Sequence, residues 1–303
     1  MTIIETVREK NIPKDADASG KRLIPKRVVV KLGTNVIMRQ DGRVALGLLC
    51  GLVESVAALR ETGIEVLLVS SGAIGLGMER LGMTERPLEV PLIQACAATG
   101  QSRLMSLYDD AFETMGCRIA QVLLTEDDFR DPIRYENLRA TLRALLSLGV
   151  IPIVNENDTV STVELDRPVE TTVATPAEAR LFGDNDKLSA LLMRHIEADL
   201  LVLLSDIDGL FDRHPAEPGA QLIPEVSEIT DAIRKYAHGG NGRGRGGMAS
   251  KLEAARIVME AGRTAVIANG RTPRLLEKIC AGEPVGTVFL PSKSPIEDKE
   301  PTR

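Results

Sequence analysis

The chain is 303 residues long, 44% of them hydrophobic and 26% charged, which is the composition of an ordinary soluble globular protein with a large core. Its net charge of −6 argues against nonspecific nucleic-acid binding, which requires a basic face, but it allows a local basic pocket for a small anion. Without an 18-residue apolar run or a secretory signal, we expect no membrane span and a cytoplasmic protein, with a mobile tail over residues 1–26.

Short apolar segments alternate with longer helical patterns along the chain. Most short segments lack polar alternation, which is typical of central strands in a parallel sheet. The pattern predicts an α/β protein, a three-layer α/β/α sandwich with a mainly parallel sheet and ligands beyond the carboxyl ends of the strands. The predicted strands are Arg27–Lys31, Glu65–Ser70, Arg118–Leu124, Val150–Val154, Leu200–Ser205, Thr264–Ala268 and Gly286–Leu290. The predicted helices are Val44–Glu61, Leu92–Met115, Ile133–Leu148, Asp186–Glu197, Glu228–Ala237, Met248–Ala261 and Pro273–Cys280.

The first predicted strand carries three valines and ends in Lys31, shortly before Gly33. A buried ammonium group is costly unless an anion lies nearby, and glycine lets the backbone turn sharply or approach a ligand closely. A phosphate site is one interpretation of this pattern. The other is a lysine whose head reaches solvent at the strand end.

Polar stretches follow two further predicted strands. The second strand leads into SSGAIGLG, where Ser71 and Gly72 open either an anion site of backbone N–H groups or a plain turn with a serine cap. The fourth strand leads into NEND, which contains Asn155 and Asp158. Two amides and two acids directly after an apolar strand are more than capping requires, and they suit the carboxylate and ammonium groups of a zwitterion.

Two more segments precede predicted helices. GDND contains Asn185 and Asp186; an N-cap explains one acid, which leaves the others to orient a lysine or to hold Mg²⁺ through water. Six glycines crowd residues 239–247 together with Arg245, and Lys251 follows on a helix. Flexible backbone and cations at a helix N-terminus suit a polyphosphate, the alternative being a disordered surface loop.

Motifs of several other protein classes are absent. There is no GxxxxGK[ST], no GxGxxG at dinucleotide spacing, and no HRD or DFG.

The segment SDIDGL, which begins with Ser205 and Asp206 at the end of the fifth predicted strand, has two interpretations. It is either a nucleotide contact or a turn. The four cysteines, at positions 50, 96, 117 and 280, lie in apolar contexts that predict core thiols and neither disulfides nor a zinc site.

Seven stretches in this order resemble the amino acid kinase family. They are VVVKLGTN, VSSGAIGLG, GQSRLM, IPIVNENDTVST, GDNDKLSALL, LLSDIDGL and GRGGMASKLEAA, and the resemblance runs from about Val28 to Leu290. Within the family the chain resembles the glutamate-phosphorylating branch, and GRGGM and LLSDIDGLF look particularly like the kinase half of bifunctional pyrroline-5-carboxylate synthases.

The resemblance implies roles for individual residues. The expected catalytic residues are Lys31, Lys251 and Asp186. The expected glutamate-binding residues are Ser71, Gly72, Asn155, Asp158 and Asn185. The expected ATP-binding residues are Lys31, Gly33, Ser205, Asp206, Arg245, Gly246, Gly247, Met248, Ala249, Ser250 and Lys251.

The implied reaction is phosphorylation of the γ-carboxylate of L-glutamate by ATP, the first step of proline synthesis. A carboxylate with a pKa near 4.3 is already ionised at pH 7, so no catalytic base is needed and cations must dominate the site. The expected cofactors are ATP and Mg²⁺, with the metal carried mainly by the ATP phosphates and not bound directly by the protein. Asp158 favours free glutamate over N-acetylglutamate, which has no ammonium group to pair with an acid.

The resemblance also carries expectations about organisation. A kinase domain over 27–290 divides into a glutamate lobe at about 27–198 and a nucleotide lobe at about 199–290, followed by a polar tail at 291–303 and no PUA domain. About 15 extra residues lie between Asp158 and Gly183, and the capping box Thr175–Glu178 within them indicates a lid or an oligomer contact. We expect a homo-oligomer and a hand-over of product to a glutamyl phosphate reductase.

Two other functions remain open on the sequence. Another member of the family, acting on aspartate or N-acetylglutamate, is one. A non-catalytic nucleotide sensor on the same fold is the second, although both lysines and both acids of GDND argue against it.

Overall fold

The computed structural model describes residues 24–39, 42–160, 184–237 and 247–292, and its centre is a single sheet. The strands are β1 (Arg27–Leu32), β2 (Glu65–Ser70), β3 (Arg118–Leu124), β4 (Val150–Glu156), β5 (Leu200–Ser205), β6 (Glu225–Val226), β7 (Thr264–Asn269) and β8 (Thr287–Phe289). Their order in the sheet is β3-β4-β2-β1-β5-β7-β8-β6. Neighbouring strands pair in parallel throughout, except for β7 and β8, which are antiparallel.

Helices connect most of the strands, as parallel pairing requires. They are α1 (Thr34–Ile37), α2 (Leu46–Glu61), α3 (Ala73–Arg80), α4 (Val90–Glu113), α5 (Asp127–Arg130), α6 (Pro132–Ser147), α7 (Asn185–His195), α8 (Asp231–Ala237), α9 (Met248–Glu260) and α10 (Leu275–Cys280). The capping box predicted at Thr175–Glu178 lies outside the described residues.

Both faces of the sheet are covered, which explains the unbroken run of valines in β1. Val28 and Val30 pack into one apolar cluster with residues of α2, α4 and α10. Val29 packs into a second cluster, with residues of α6, α7 and α9. Since successive side chains of a strand point to opposite faces, these two clusters are the two interfaces of a three-layer sandwich. The predicted α/β/α architecture is confirmed.

Helices α3 and α4 cross with their backbones in close contact. A Cβ atom added to Gly100 would lie 1.7 Å from the carbonyl oxygen of Ala73, and one added to Gly77 would lie 1.8 Å from that of Cys96. Only glycine fits at such a crossing. The crossing fixes α4 against the loop that follows β2.

Several predictions need correction. β4 continues through Asn155 and Glu156, which therefore belong to the strand and not to the loop after it. The two-residue strand β6 was not predicted. Cys50 is exposed, so it is not the core thiol that its apolar neighbours indicate.

No helix in the described ranges is long and apolar enough to cross a membrane.

Candidate active site

The carboxyl ends of the central strands meet at one edge of the sheet. The pairing register sets Leu32 beside Ser70 on one side and Leu204 on the other, and sets Val69 beside Val154. The stretches that follow β1, β2, β4 and β5 therefore converge. This edge is where open α/β sheets bind ligands.

A buried carboxylate lies between two buried lysines at this edge. Asp186, in the first turn of α7, has no exposed surface, and Lys31 and Lys251 are 4% and 5% exposed. Lys31 Nζ lies 2.7 Å from one oxygen of Asp186, and Lys251 Nζ lies 3.1 Å from the other. The lysine head of β1 thus does not reach solvent. Two ammonium groups share one carboxylate, so these three side chains together carry a net charge of +1.

The charges around Asp186 determine its ionisation. Burial alone would raise its pKa, but the ammonium groups of Lys31 and Lys251 outweigh burial and hold the pKa below its ordinary value. Asp186 is therefore ionised at neutral pH. With both oxygens engaged and a low pKa, it is unsuited to act as a base.

The other acid of GDND, Asp184, has a structural role. It is the N-cap of α7, and one of its oxygens accepts from the backbone N–H groups of Asp186 and Lys187, both at 3.0 Å. Its second oxygen accepts from the hydroxyl of Ser250, which also lies 3.1 Å from Asp186. Ser250 belongs to the first turn of α9, so its hydrogen bonds link the start of α9 to the start of α7.

A cluster of amides and hydroxyls lies beside this charged centre. Asn185 Nδ2 lies 2.9 Å from each of three acceptors: the carbonyl oxygen of Ser70, the hydroxyl of Ser71 and the side-chain oxygen of Asn155. Asn155 in turn donates to Gln101 Oε1 at 2.9 Å. One polar site is therefore formed by three segments that are far apart in sequence: the turn after β2, NEND and GDND.

The turn after β2 is not a serine-capped helix start. The N-cap of α3 is Gly72, which has no side-chain capping bond and takes a left-handed conformation with φ of 104°. That conformation favours glycine. Ser71 is half-buried, and its hydroxyl accepts from Asn185, so the plain-turn interpretation does not account for it.

Three of the predicted nucleotide residues, Ser205, Asp206 and Gly33, lie at the end of β5. Ser205 is the last residue of that strand, and Asp206 accepts a 3.0 Å hydrogen bond from Asn35 Nδ2. The backbone N–H of Gly33 points to the carbonyl oxygen of Leu204 at 3.3 Å.

The glycine-rich segment is described only from its last residue onward. Gly247 caps α9, whose first turn contains Met248, Ala249 and Ser250. Arg245 and Gly246 lie outside the described residues.

Two side chains at this edge of the sheet were not predicted from the sequence. Asn35 lies within VVVKLGTN and Gln101 within GQSRLM, but neither is next to an unexplained polar cluster.

Asp158, which was predicted to bind glutamate, is half-buried and lies two residues beyond β4.

The described part of the site contains no set of side chains that would enclose a metal ion. Among the described residues, no group of three or more histidines, cysteines or acids could hold an ion. Asp186, whose side chain is fully buried, is already paired with two lysines. This donor set fits a metal that arrives bound to phosphate oxygens.

Comparison with known proteins identifies the family. The model of the amino acid kinase family matches residues 26–269, most of the chain. The chain belongs to the amino acid kinase family. It is 48% identical over 264 residues to the glutamate 5-kinase of Gloeobacter violaceus, covering 86% of this chain and 68% of that protein. It is 45% identical over 276 residues to the glutamate 5-kinase of Caldanaerobacter subterraneus, covering 90% and 70% respectively.

Solved structures agree on the fold. Carbamate kinase from Giardia lamblia, bound to AMP-PNP, superposes with a TM-score of 0.60 at 18% identity, covering 88% of this chain and 99% of that one. Isopentenyl phosphate kinase superposes with a TM-score of 0.57 at 16% identity, covering 87% and 99%. At such identities the likeness concerns architecture alone.

Proposed function

We infer that this chain is an ATP-dependent glutamate 5-kinase, which transfers a phosphoryl group from ATP to the γ-carboxylate of L-glutamate as the first step of proline synthesis. Relatives of that name are 45–48% identical over about 90% of the chain. The observation that carries the proposal at the site is the buried pair of lysines on one carboxylate, Lys31–Asp186–Lys251. Such a centre suits the transfer of an anionic group to an anionic acceptor.

The chemistry requires positive charge and no base. The acceptor carboxylate, with a pKa near 4.3, is ionised at pH 7 and can attack without losing a proton. Lys31 and Lys251 are proposed to neutralise the transferring phosphoryl group and the leaving oxygen. Asp186 holds the two ammonium groups in place before the substrates arrive, so little rearrangement is needed during transfer.

Magnesium enters this scheme with the nucleotide. When bound, Mg²⁺ neutralises part of the phosphate charge. The described residues fit that arrangement because they provide cations and no cluster of acids. The chain's own task is then to bind the phosphates through Lys31, Lys251 and the start of α9.

The glutamate pocket is proposed to be the amide cluster. The Ser71 hydroxyl and the backbone at Gly72 would bind a substrate carboxylate, the side-chain oxygen of Asn185 would accept from the ammonium group, and Asn155 would hold Asn185 in place. Asp158, half-buried just beyond β4, would supply the counter-charge for the α-ammonium group.

The nucleotide is proposed to lie at the end of β5. Ser205, Asp206 and Gly33 line that edge, and the backbone from Arg245 through Gly247, Met248 and Ala249 would meet the phosphates at the start of α9. The hydroxyl of Ser250 is engaged with Asp184 and Asp186, so Ser250 is proposed to contact ATP through its backbone.

Assembly and location are also part of the proposal. We propose a cytoplasmic homo-oligomer whose kinase domain covers 27–290, with glutamate and nucleotide lobes that meet near residue 198. Because an acyl phosphate hydrolyses readily, hand-over to a reductase would protect the product. Light scattering of the purified chain tests the assembly.

The reaction is tested by trapping the acyl phosphate with hydroxylamine. The purified chain, MgATP and hydroxylamine are incubated with L-glutamate, L-aspartate or N-acetylglutamate, and hydroxamate and ADP are measured. The proposal predicts hydroxamate with L-glutamate and at most a trace with the other acids. Hydroxamate only with aspartate or N-acetylglutamate would favour another activity of the family, and none with any acid would favour a nucleotide sensor.

A further inference from the structure

The motif GQSRLM has no role in the reaction as described so far. Its second residue, Gln101, lies on α4, away from the strand ends that supply the site, and its side chain is buried. Gln101 nevertheless contacts the amide cluster, through the 2.9 Å hydrogen bond that its Oε1 accepts from Asn155. The close crossing at Gly100 fixes this stretch of α4 against α3.

One backbone donor sets the orientation of three side-chain amides. The N–H of Glu156 donates to Asn155 Oδ1 at 2.9 Å, so turning this amide over would set donor against donor. Asn155 Nδ2 must then face Gln101, which presents its oxygen. Asn155 Oδ1 also faces Asn185, which must present Nδ2. The carbonyl of Ser70, 2.9 Å from Asn185 Nδ2, requires the same orientation independently.

The result is an acceptor and a donor held for a ligand. Asn185 Oδ1 is buried, and none of the described residues gives it a hydrogen bond. Asn185 Nδ2, 2.9 Å from the Ser71 hydroxyl, is an amide nitrogen that donates and cannot accept, so the hydroxyl proton of Ser71 is left to donate to a ligand. A buried acceptor next to a donor matches the ammonium and carboxylate groups of an α-amino acid.

We propose that Gln101 is a positioning residue for the amino acid substrate. It holds Asn155, and Asn155 holds Asn185 in the orientation whose Oδ1 receives the substrate ammonium while Ser71 donates to a carboxylate. The inference rests on the proposed function, since it takes the ligand of the amide cluster to be free glutamate. Gln101 acts through its neighbours and does not itself touch the reacting groups.

The test is Gln101→Met, which keeps the length of the side chain and removes its acceptor. Losing one hydrogen bond in the relay is expected to raise the KM for glutamate about tenfold, equivalent to about 1.4 kcal/mol, with kcat and the KM for MgATP within about twofold of wild type. Gln94→Met is the matched control, because it makes the same change at a half-buried position of α4, and it is expected to leave all three constants unchanged.

A double-mutant cycle separates a relay from a local disturbance. If Gln101 acts through Asn155, then Gln101→Met raises the glutamate KM in the wild-type background and adds nothing in the Asn155→Ala background. An equal rise in both backgrounds would overturn the proposal. So would equal rises in the glutamate and MgATP constants, which indicate general damage.

A second variant guards against a failure to fold. Gln101→Asn keeps the amide but is one methylene too short to reach Asn155, so it is also expected to raise the glutamate KM selectively. An unchanged glutamate KM in the folded variants would refute the role of Gln101 while the proposed function stands. Absence of glutamate hydroxamate with the wild-type chain would instead overturn the proposed function, and this inference with it.

Discussion

Asp186→Asn tests the charged centre most sharply, because it removes one charge and almost no volume. Asp186 is fully buried, with Lys31 Nζ at 2.7 Å and Lys251 Nζ at 3.1 Å. Without the carboxylate, two buried ammonium groups lose their counter-ion, and breaking a buried pair in this way costs about 3–5 kcal/mol. Because the amide oxygen still accepts a hydrogen bond, we expect the lower end of that range. A loss of about 3 kcal/mol lowers the melting temperature of a chain this long by roughly 5–10 °C.

The same substitution has a pH signature. The folded pKa of Asp186 lies below its ordinary value because the two lysines outweigh the opposing effect of burial. A carboxyl group of this kind stabilises the fold above its unfolded pKa, about 3.9, and the contribution is lost as the pH falls through the folded pKa. The difference in unfolding free energy between wild type and Asp186→Asn should therefore be constant from about pH 5 to 8 and shrink below about pH 4.

The measurement is urea unfolding followed by circular dichroism across this pH range, together with the hydroxamate assay at pH 7. Asp131→Asn is the matched control: Asp131 is exposed and caps α6 through one oxygen, which an amide oxygen replaces. The control should keep wild-type stability and activity. Wild-type stability of Asp186→Asn at pH 7, or a difference that grows on acidification, would refute the reasoning.

Three further substitutions test other parts of the site. Ser250→Ala should lower kcat about tenfold because it releases the start of α9 from the start of α7. Ser250→Thr keeps the hydroxyl and should have nearly wild-type kcat. Equal kcat values for the two variants would show that the hydroxyl does not link the helices. Asp158→Ala should raise the glutamate KM far more than the ATP KM, and steady-state kinetics showing an unchanged glutamate KM would remove Asp158 from the pocket. Gly100→Ala should destabilise the fold severely, as judged by thermal melting, because its Cβ would meet the Ala73 carbonyl oxygen at 1.7 Å. Gly51→Ala is its control, because the added methyl group in α2 would have no atom within 4 Å beyond its neighbours and the backbone of its own helix, and the change should be neutral or stabilising.

The fold was largely predictable because its central strands are buried on both faces. Short apolar runs such as VVV in β1 identified seven of the eight strands among the described residues, and β–α alternation predicted the layers. Glu225–Val226 was missed because two residues carry no periodic signal. The end of β4 was misplaced because Asn155 is polar, yet its amide is satisfied inside the site by Gln101 and by the N–H of Glu156. Polarity there reflects the site and not a loop.

The candidate site could be predicted where its residues lie at or just after the carboxyl end of a strand, and not where they lie elsewhere. Lys31, Ser71 and Ser205 could be singled out because the carboxyl ends of parallel strands share one edge. Gln101 could not, because a buried glutamine in the middle of a helix looks like any other until its partner is known. The hydrogen bond between Asp184 and Ser250 spans 66 residues, and only the packing of α7 against α9 brings these side chains together.

The central claim is that Lys31 and Lys251 stabilise the phosphoryl group while it is transferred from ATP to glutamate. The most direct measurement is single-turnover transfer from γ-labelled ATP to glutamate by the wild-type chain and by Lys251→Met, with ATP binding measured in parallel. The account predicts that the variant binds ATP within about tenfold of wild type but transfers the label at least about a hundredfold more slowly. Transfer at a near-wild-type rate by a folded Lys251→Met chain would contradict it.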